Sequence, residues 1–296
     1  MIITGLGLTA LAIALAWPVP RVLARARWPQ RDPIAAIIVW QAIGLAGGLS
    51  LIGAPLIYAL SPLDHHLPSS LAAFARQTLA GEPFAHLTAP HIAALAIAAA
   101  LSAQLTIALA ISALRTRRQR QQHRDSVALL ARDDPDRPET IVIDHDRPAA
   151  YCVPGSPPLL VVTSGMRDTF AKGELDAVIA HEYAHLNYRH DILALPFMAW
   201  NQALPWIPST AVARSSVSQL IEMMADDRAS RTCDADTLAH AISLAAGSHS
   251  GPEHNEATRV ARLTDPLPPL SMPGRALALM AAIALVAVPT VALAIV

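Results

Sequence analysis

The chain has 296 residues, of which 53% are hydrophobic and only 15% charged, with a formal net charge of −1. A soluble domain carries about 25% charged residues, so this chain lacks the polar surface to be water-soluble throughout. The near-zero charge excludes a general nucleic-acid binder, which would be strongly basic. The two cysteines, Cys152 and Cys233, exclude a disulfide framework and are read as reduced thiols.

In chain order, apolar stretches run over about residues 2–17, 34–60, 89–114 and 275–296. A spanning helix needs about 20 mainly apolar residues. The last three stretches reach that length; the first is short, with Trp17 and Trp28 placed as interfacial anchors. A cleaved signal peptide has its positive charge ahead of the apolar core. Here Arg21, Arg25, Arg27 and Arg31 follow it, so the first stretch is expected to remain as a span.

Basic loops stay in the cytoplasm. The loop after the first stretch and the run Arg115, Arg117, Arg118, Arg120, Arg124 are basic, whereas 61–88 has Arg76 beside Asp64 and Glu82. This predicts a multi-pass plasma-membrane protein with its N-terminus outside and residues 115–275 in the cytoplasm. The arginine run reads as a topology signal and anionic-lipid contact, with no specific nucleic acid as partner. Within the second stretch, Gly44 and Gly48 form a small-xxx-small pair that lets another helix approach. His65 and His66 read as an ordinary loop pair, there being no third ligand in evidence.

The expected domains are three spans in 1–114, a cytoplasmic domain over 115–250, a polar, proline-rich linker over 251–274 and a last span over 275–296. Within the cytoplasmic part, 140–144 and 159–163 read as strands joined through a turn at Pro154, Gly155, Pro157 and Pro158. Helices are expected from Lys172 to Tyr188 and from Ser218 to Arg231, and there is no internal repeat. Ile192 to Pro208, apolar but broken by Pro196 and Pro205, reads as a half-inserted or membrane-surface helix. The fold class is therefore mainly α, multi-span helices plus a cytoplasmic α+β domain.

The chemistry sits in His181-Glu182-Tyr183-Ala184-His185. Residues four apart share a helix face, so the two imidazoles can converge on one ion while Glu182, beside it, takes a proton from a water. A catalytic zinc needs a third protein ligand and an open position. Downstream, Glu222 and Asp226 are again four apart: Glu222 can be that ligand, and Asp226 can fix a ligand histidine's tautomer. Two imidazoles and a carboxylate suit Zn2+, one per chain.

Residues 150–191 (AYCVPGSPPLLVVTSGMRDTFAKGELDAVIAHEYAHLNYRHD), with the later EMMADDRA, resemble the gluzincin membrane peptidases. The group most resembled is the BlaR/MecR-like signal-transducer proteases, family M56; the related M48 membrane peptidases, which process prenylated or misfolded proteins, share both motifs. The resemblance implies a gluzincin-like zinc metalloendopeptidase domain, zinc on His181, His185 and Glu222, and Glu182 as general base. It also implies that strand 159–163 is the edge on which a substrate peptide lies. It makes Arg259 a candidate oxyanion or substrate contact, with Arg262, Tyr183 and His190 as competitors and a plain salt bridge as its simpler role. The antibiotic sensors of that group carry a penicillin-binding domain; no Ser-x-x-Lys motif with such a domain stands here, so β-lactam sensing is not expected. The expected function is a regulatory protease cutting a cytoplasmic, repressor-like protein or itself. The alternatives are a quality-control or processing protease and a non-catalytic zinc-binding receptor or scaffold. The expected partners are a protein substrate and the lipid bilayer; a homo-oligomer stays open.

Overall fold

The computed structural model describes residues 1–130, 132–134, 137–153, 159–187, 190–246 and 253–295. The expected turn at Pro154, Gly155, Pro157 and Pro158, and Tyr188, lie outside them. The chain divides into two compact units, one made of Met1–Ala110, Pro196–Ser216 and Leu270–Val296, the other of Ile111–Leu195 and Val217–Pro269.

The chain opens with α1 (Ile2–Ala16) and α2 (Pro18–Arg25). The break at Trp17 follows from Pro18 and Pro20, which lack the donors that would continue the helix. Arg21 closes the corner, its guanidinium 4.3 Å from the Trp17 ring centroid. Next come α3 (Pro33–Leu60), capped by Asp32 Oδ1 accepting from Ala35 N at 3.0 Å, and α4 (Leu67–Leu79). Helix α5 (Ala89–Leu130) runs well past the expected end near 114. Its basic run is mostly Arg and Gln, good helix formers, with no Gly or Pro to stop it.

Four strands follow: β1 (Arg132–Asp134), β2 (Arg137–Ile143), β3 (Ala150–Val153) and β4 (Leu159–Thr163). Then come α6 (Ser164–Thr169), α7 (Lys172–Asn187), α8 (His190–Ala203), α9 (Pro208–Ala229), α10 (Ala235–Ala246), α11 (Glu253–Thr264) and α12 (Met272–Ile295). Helix α11 lies within the stretch 251–274 that was expected to be a linker. Its first half has no apolar stripe to reveal it, but Val260 and Leu263 pack against Leu238 and Ile242.

Four candidate spans cover Ile3–Arg25, Pro33–Leu60, Ala89–Val127 and Met272–Ile295 among the described residues. Leu277, Ile283 and Val291 on α12 are exposed, an apolar outer surface suited to lipid rather than water. The Gly44–Gly48 notch receives a ring from α8. A Cβ at Gly48 would stand 2.9 Å from Trp200 Cζ2, and one at Gly44 3.6 Å from Trp200 Nε1. With 14 residues and Pro196 inside it, α8 is too short to span.

In the second unit the described strands form one sheet in the order β1-β2-β4-β3. β2 and β4 are parallel, with Ile141 opposite Val161, and the outer pairs are antiparallel. Strand β4 is thus interior and not the expected edge; its Leu160, Val161 and Val162 are buried. The free edge on that side is β3, which pairs Cys152 with Leu160. After β4, Thr163 Oγ1 caps α6 by accepting from Met166 N at 3.2 Å. Gly165 permits the tight return, since a Cβ there would lie 2.0 Å from the Asp146 carbonyl oxygen. Helix α7 covers the sheet with Leu175, Val178 and Ile179, and meets α10 through Ala177 and Ala180.

Candidate metal centre

Helix α7 begins at a local cap in which Glu174 Oε2 accepts from Ala171 N at 2.8 Å, and Glu174 Oε1 lies 2.6 Å from His240 Nδ1 on α10. Two turns on, the same helix delivers His181 and His185. Their Nε2 atoms stand 3.1 Å apart. From α9, Glu222 Oε2 lies 3.3 Å from His181 Nε2, and Oε1 lies 3.6 Å from His185 Nε2. Four-coordinate zinc holds its ligands at about 2.0–2.1 Å, which places neighbouring donor atoms about 3.3–3.4 Å apart on the tetrahedron's edges. The three donors therefore sit at the spacing one zinc ion requires. Nδ1 of His181 stands 3.0 Å from Asp226 Oδ1, off the line of an aligned hydrogen bond; the carboxylate's charge favours the proton on Nδ1, which leaves Nε2 a lone pair for the metal.

Asp226, 1% exposed, is also gripped by Arg259 of α11. Arg259 Nε donates to Oδ2 at 2.8 Å and Nη2 to Oδ1 at 2.7 Å, while Nη1 lies 3.1 Å from Glu222 Oε2. Of its competitors, Arg262 is occupied by Asp227 at 2.7 Å, and Tyr183 packs with the cluster around Leu160 and Met166. The side chain of His190 lies outside the described residues. The Cys152 backbone N–H on β3 faces the Glu182 carboxylate and favours its charged form.

Burial raises the Glu182 carboxyl to about 7, with Glu222's charge adding and His181 and the Cys152 N–H opposing. Burial would lower His181, but Asp226 and Glu222 overcome it and lift the imidazole to about 9. Burial takes His185 down to about 4. Glu222 and Asp226, despite burial that favours their neutral forms, are held near about 2, Glu222 mainly by His181 and Asp226 by Arg259 and His181. Burial, aided by Glu182's charge, pushes the Cys152 thiol up to about 12, so it stays protonated and offers no thiolate to a metal.

Among the described residues, His181, His185 and Glu222 form the single group of metal-ligating side chains. These features define the class: a zinc metallopeptidase of the His-Glu-x-x-His type with a glutamate as third ligand. The profile of peptidase family M48 matches residues 113–248, so this stretch is similar to the zinc-peptidase domains of that family. No curated protein and no solved structure matches the chain. Sequence reasoning did not find the contact of Cys152 with Glu182 or the helix that brings Arg259 in. Nothing local in either segment signals them.

Proposed function

We propose that the chain is a membrane-embedded zinc endopeptidase acting on a protein substrate, with Glu182 as its general base. The spacing of the His181, His185 and Glu222 donors carries this reading. Bound there, zinc would supply Lewis acidity to a peptide carbonyl and bring the pKa of a water from about 16 towards 7. Glu182, raised to about 7, is matched to accepting that water's proton and passing it to the leaving amine. A structural zinc site needs no such carboxylate. Asp226 orients His181. Arg259, fixed beside Glu222, is placed to donate to a substrate oxygen near the donors. The free edge of β3, ending at the Cys152 N–H, offers backbone groups to an extended peptide.

The positive-inside rule puts the N-terminus outside and the peptidase domain in the cytoplasm. The α8–α9 turn fits a re-entrant element. Trp200 meets α3 at Gly48, roughly 15 residues or about 22 Å beyond Pro33. Gln104 Nε2, roughly ten residues or about 15 Å inside Leu114, donates to Ala203 O. Both depths lie inside a hydrocarbon core about 30 Å thick, that of Gln104 at its middle. The Leu204 carbonyl accepts from Ile207 N, and the Ile207 carbonyl from Thr210 N and Oγ1, as backbone in lipid requires.

Two uses fit such an enzyme: regulatory cleavage of a cytoplasmic protein or of itself, as in the M56-like sensors, and processing or quality control of membrane proteins. The match to family M48 favours the second. The test compares wild type with Glu182→Gln in detergent, scoring zinc content together with cleavage of casein or of the chain itself. One zinc in both proteins, with cleavage by wild type alone, supports the reading. Zinc in neither overturns it.

A further inference from the structure

A cavity of about 300 Å³ has His181, Glu182 and Glu222 in its lining. Its inner wall is apolar, formed by Ala150 of the edge strand, Met166, Val178 of α7, and Leu238, Ala241 and Ile242 of α10. Met166, Leu238 and Ala241 are buried to 2% exposure or less, so the wall is fixed by the core behind it. A side chain next to the scissile bond would enter here, since the reacting groups line the same cavity.

Besides the metal-site residues, two charged side chains line this cavity, Glu256 and Arg259. Glu256, on α11 one turn ahead of Arg259, lines the same cavity. Arg259 feels its charge, but the guanidinium nitrogens are bonded to Asp226 and lie against Glu222. Among the described residues no hydrogen bond or ion pair holds the Glu256 carboxylate. A half-buried carboxylate without a partner is costly, and a guest that brings the partner regains that cost. The pocket thus asks for an apolar stem ending in a cation, which among side chains means lysine or arginine.

We infer that Glu256 is a specificity-determining residue, selecting a substrate with a lysine or arginine beside the scissile bond. This rests on the peptidase reading and narrows its substrate class. The test uses the full chain in detergent and a set of peptides that differ at one position flanking the scissile bond, carrying Lys, Arg, Leu, Ala or Glu. Wild type is expected to cut the Lys and Arg peptides about tenfold faster than the Leu peptide. In Glu256→Gln that ratio falls towards one, and in Glu256→Lys the Glu peptide becomes preferred over Lys. Loss of a structural residue would lower all peptides together and leave the ranking unchanged. Equal rates for Lys and Leu in wild type, or an unaltered ratio in Glu256→Gln, overturn the inference.

The same peptides, fluorescently labelled, are titrated onto Glu182→Gln protein alone and combined with Glu256→Gln. If wild type cuts nothing, the peptidase reading fails, yet binding still decides. A preference for Lys over Leu that Glu256→Gln removes upholds the assignment of Glu256. Equal binding of the two, or a preference that survives Glu256→Gln, overturns it.

Discussion

Asp226 and Arg259 meet fork to fork, with Nε 2.8 Å from Oδ2 and Nη2 2.7 Å from Oδ1. The same carboxylate faces the Nδ1 of His181 at 3.0 Å. One buried anion therefore joins α9 to α11 and, through the imidazole, to the metal donors on α7. The pair couples the stability of the domain to the orientation of a zinc ligand.

Arg259→Ala leaves Asp226 buried without its cation. Removing one partner of such a pair costs roughly 3–5 kcal/mol, so the variant should unfold at clearly lower temperature in detergent. Arg259→Lys should fall between, because an ammonium keeps the charge but cannot match both oxygens in plane. Thermal unfolding of the metal-loaded proteins checks this. An Arg259→Ala protein as stable as wild type would mean that the fork carries little.

Asp226→Asn removes the carboxylate that holds the His181 ring. Partners of this kind are worth roughly 10–100-fold in metal affinity, and that loss is expected in competition against a zinc chelator. Asp227→Asn is the control. That residue pairs with Arg262 and is 42% exposed, so zinc affinity should stay at the wild-type value. Equal losses in both variants would point to helix damage rather than to ligand orientation.

Zinc uptake should depend on pH with a definite sign. His181 is raised to about 9, Asp226 and Glu222 outweighing burial, so the metal-free protein holds a proton on it at neutral pH. Zinc must displace that proton, and its apparent affinity should rise about tenfold per pH unit up to about 9. The raised value also stabilises the metal-free fold. That contribution is complete below about 6.5, the ordinary histidine value, and is lost as pH rises through about 9. Zinc titrations of the apo protein at several pH values measure the slope. A flat profile between pH 6 and 8 would contradict the assigned protonation.

In the first unit, Gly48→Ala should be costly and Gly44→Ala tolerated. A methyl at Gly48 meets Trp200 at 2.9 Å, whereas at Gly44 the nearest atom is 3.6 Å away, ordinary contact. Overpacking of this sort costs about 1–3 kcal/mol. Shrinking the ring in Gly48→Ala/Trp200→Leu should recover part of the loss in thermal stability. Without recovery, the clash is not with Trp200.

The spans and the metal donors were legible because each depends on local pattern. An apolar run of sufficient length needs no partner to be recognised, and His181, His185, Glu222 and Asp226 lie at helical spacings of four. The edge assignment failed because strand order is a non-local property. Nothing in Leu159–Thr163 tells that Ala150–Val153 pairs on its outer side. Helix α11 was hidden for a similar reason: Arg259 and Arg262 look like linker charges until Asp226 and Asp227 stand opposite them. Glu256 gave no signal at all, since its meaning comes from the apolar residues of four other elements around the same cavity.

The α8–α9 turn offers a direct test of the proposed topology. Trp206 at its tip is 66% exposed, a position that in water would be freely accessible. If the turn lies within the hydrocarbon, as the contacts of Trp200 with Gly48 and of Gln104 with Ala203 argue, that exposure faces lipid. Cysteines placed singly at 206 and at 118, in a chain with Cys152 and Cys233 replaced, report the difference. In sealed right-side-out vesicles, neither should react with a membrane-impermeant maleimide. After permeabilisation by a pore that leaves the bilayer intact, position 118 should label and position 206 should not. Labelling of 206 at the rate of 118 would place the turn in water. Labelling of 118 in sealed vesicles would reverse the proposed orientation and put the peptidase domain outside.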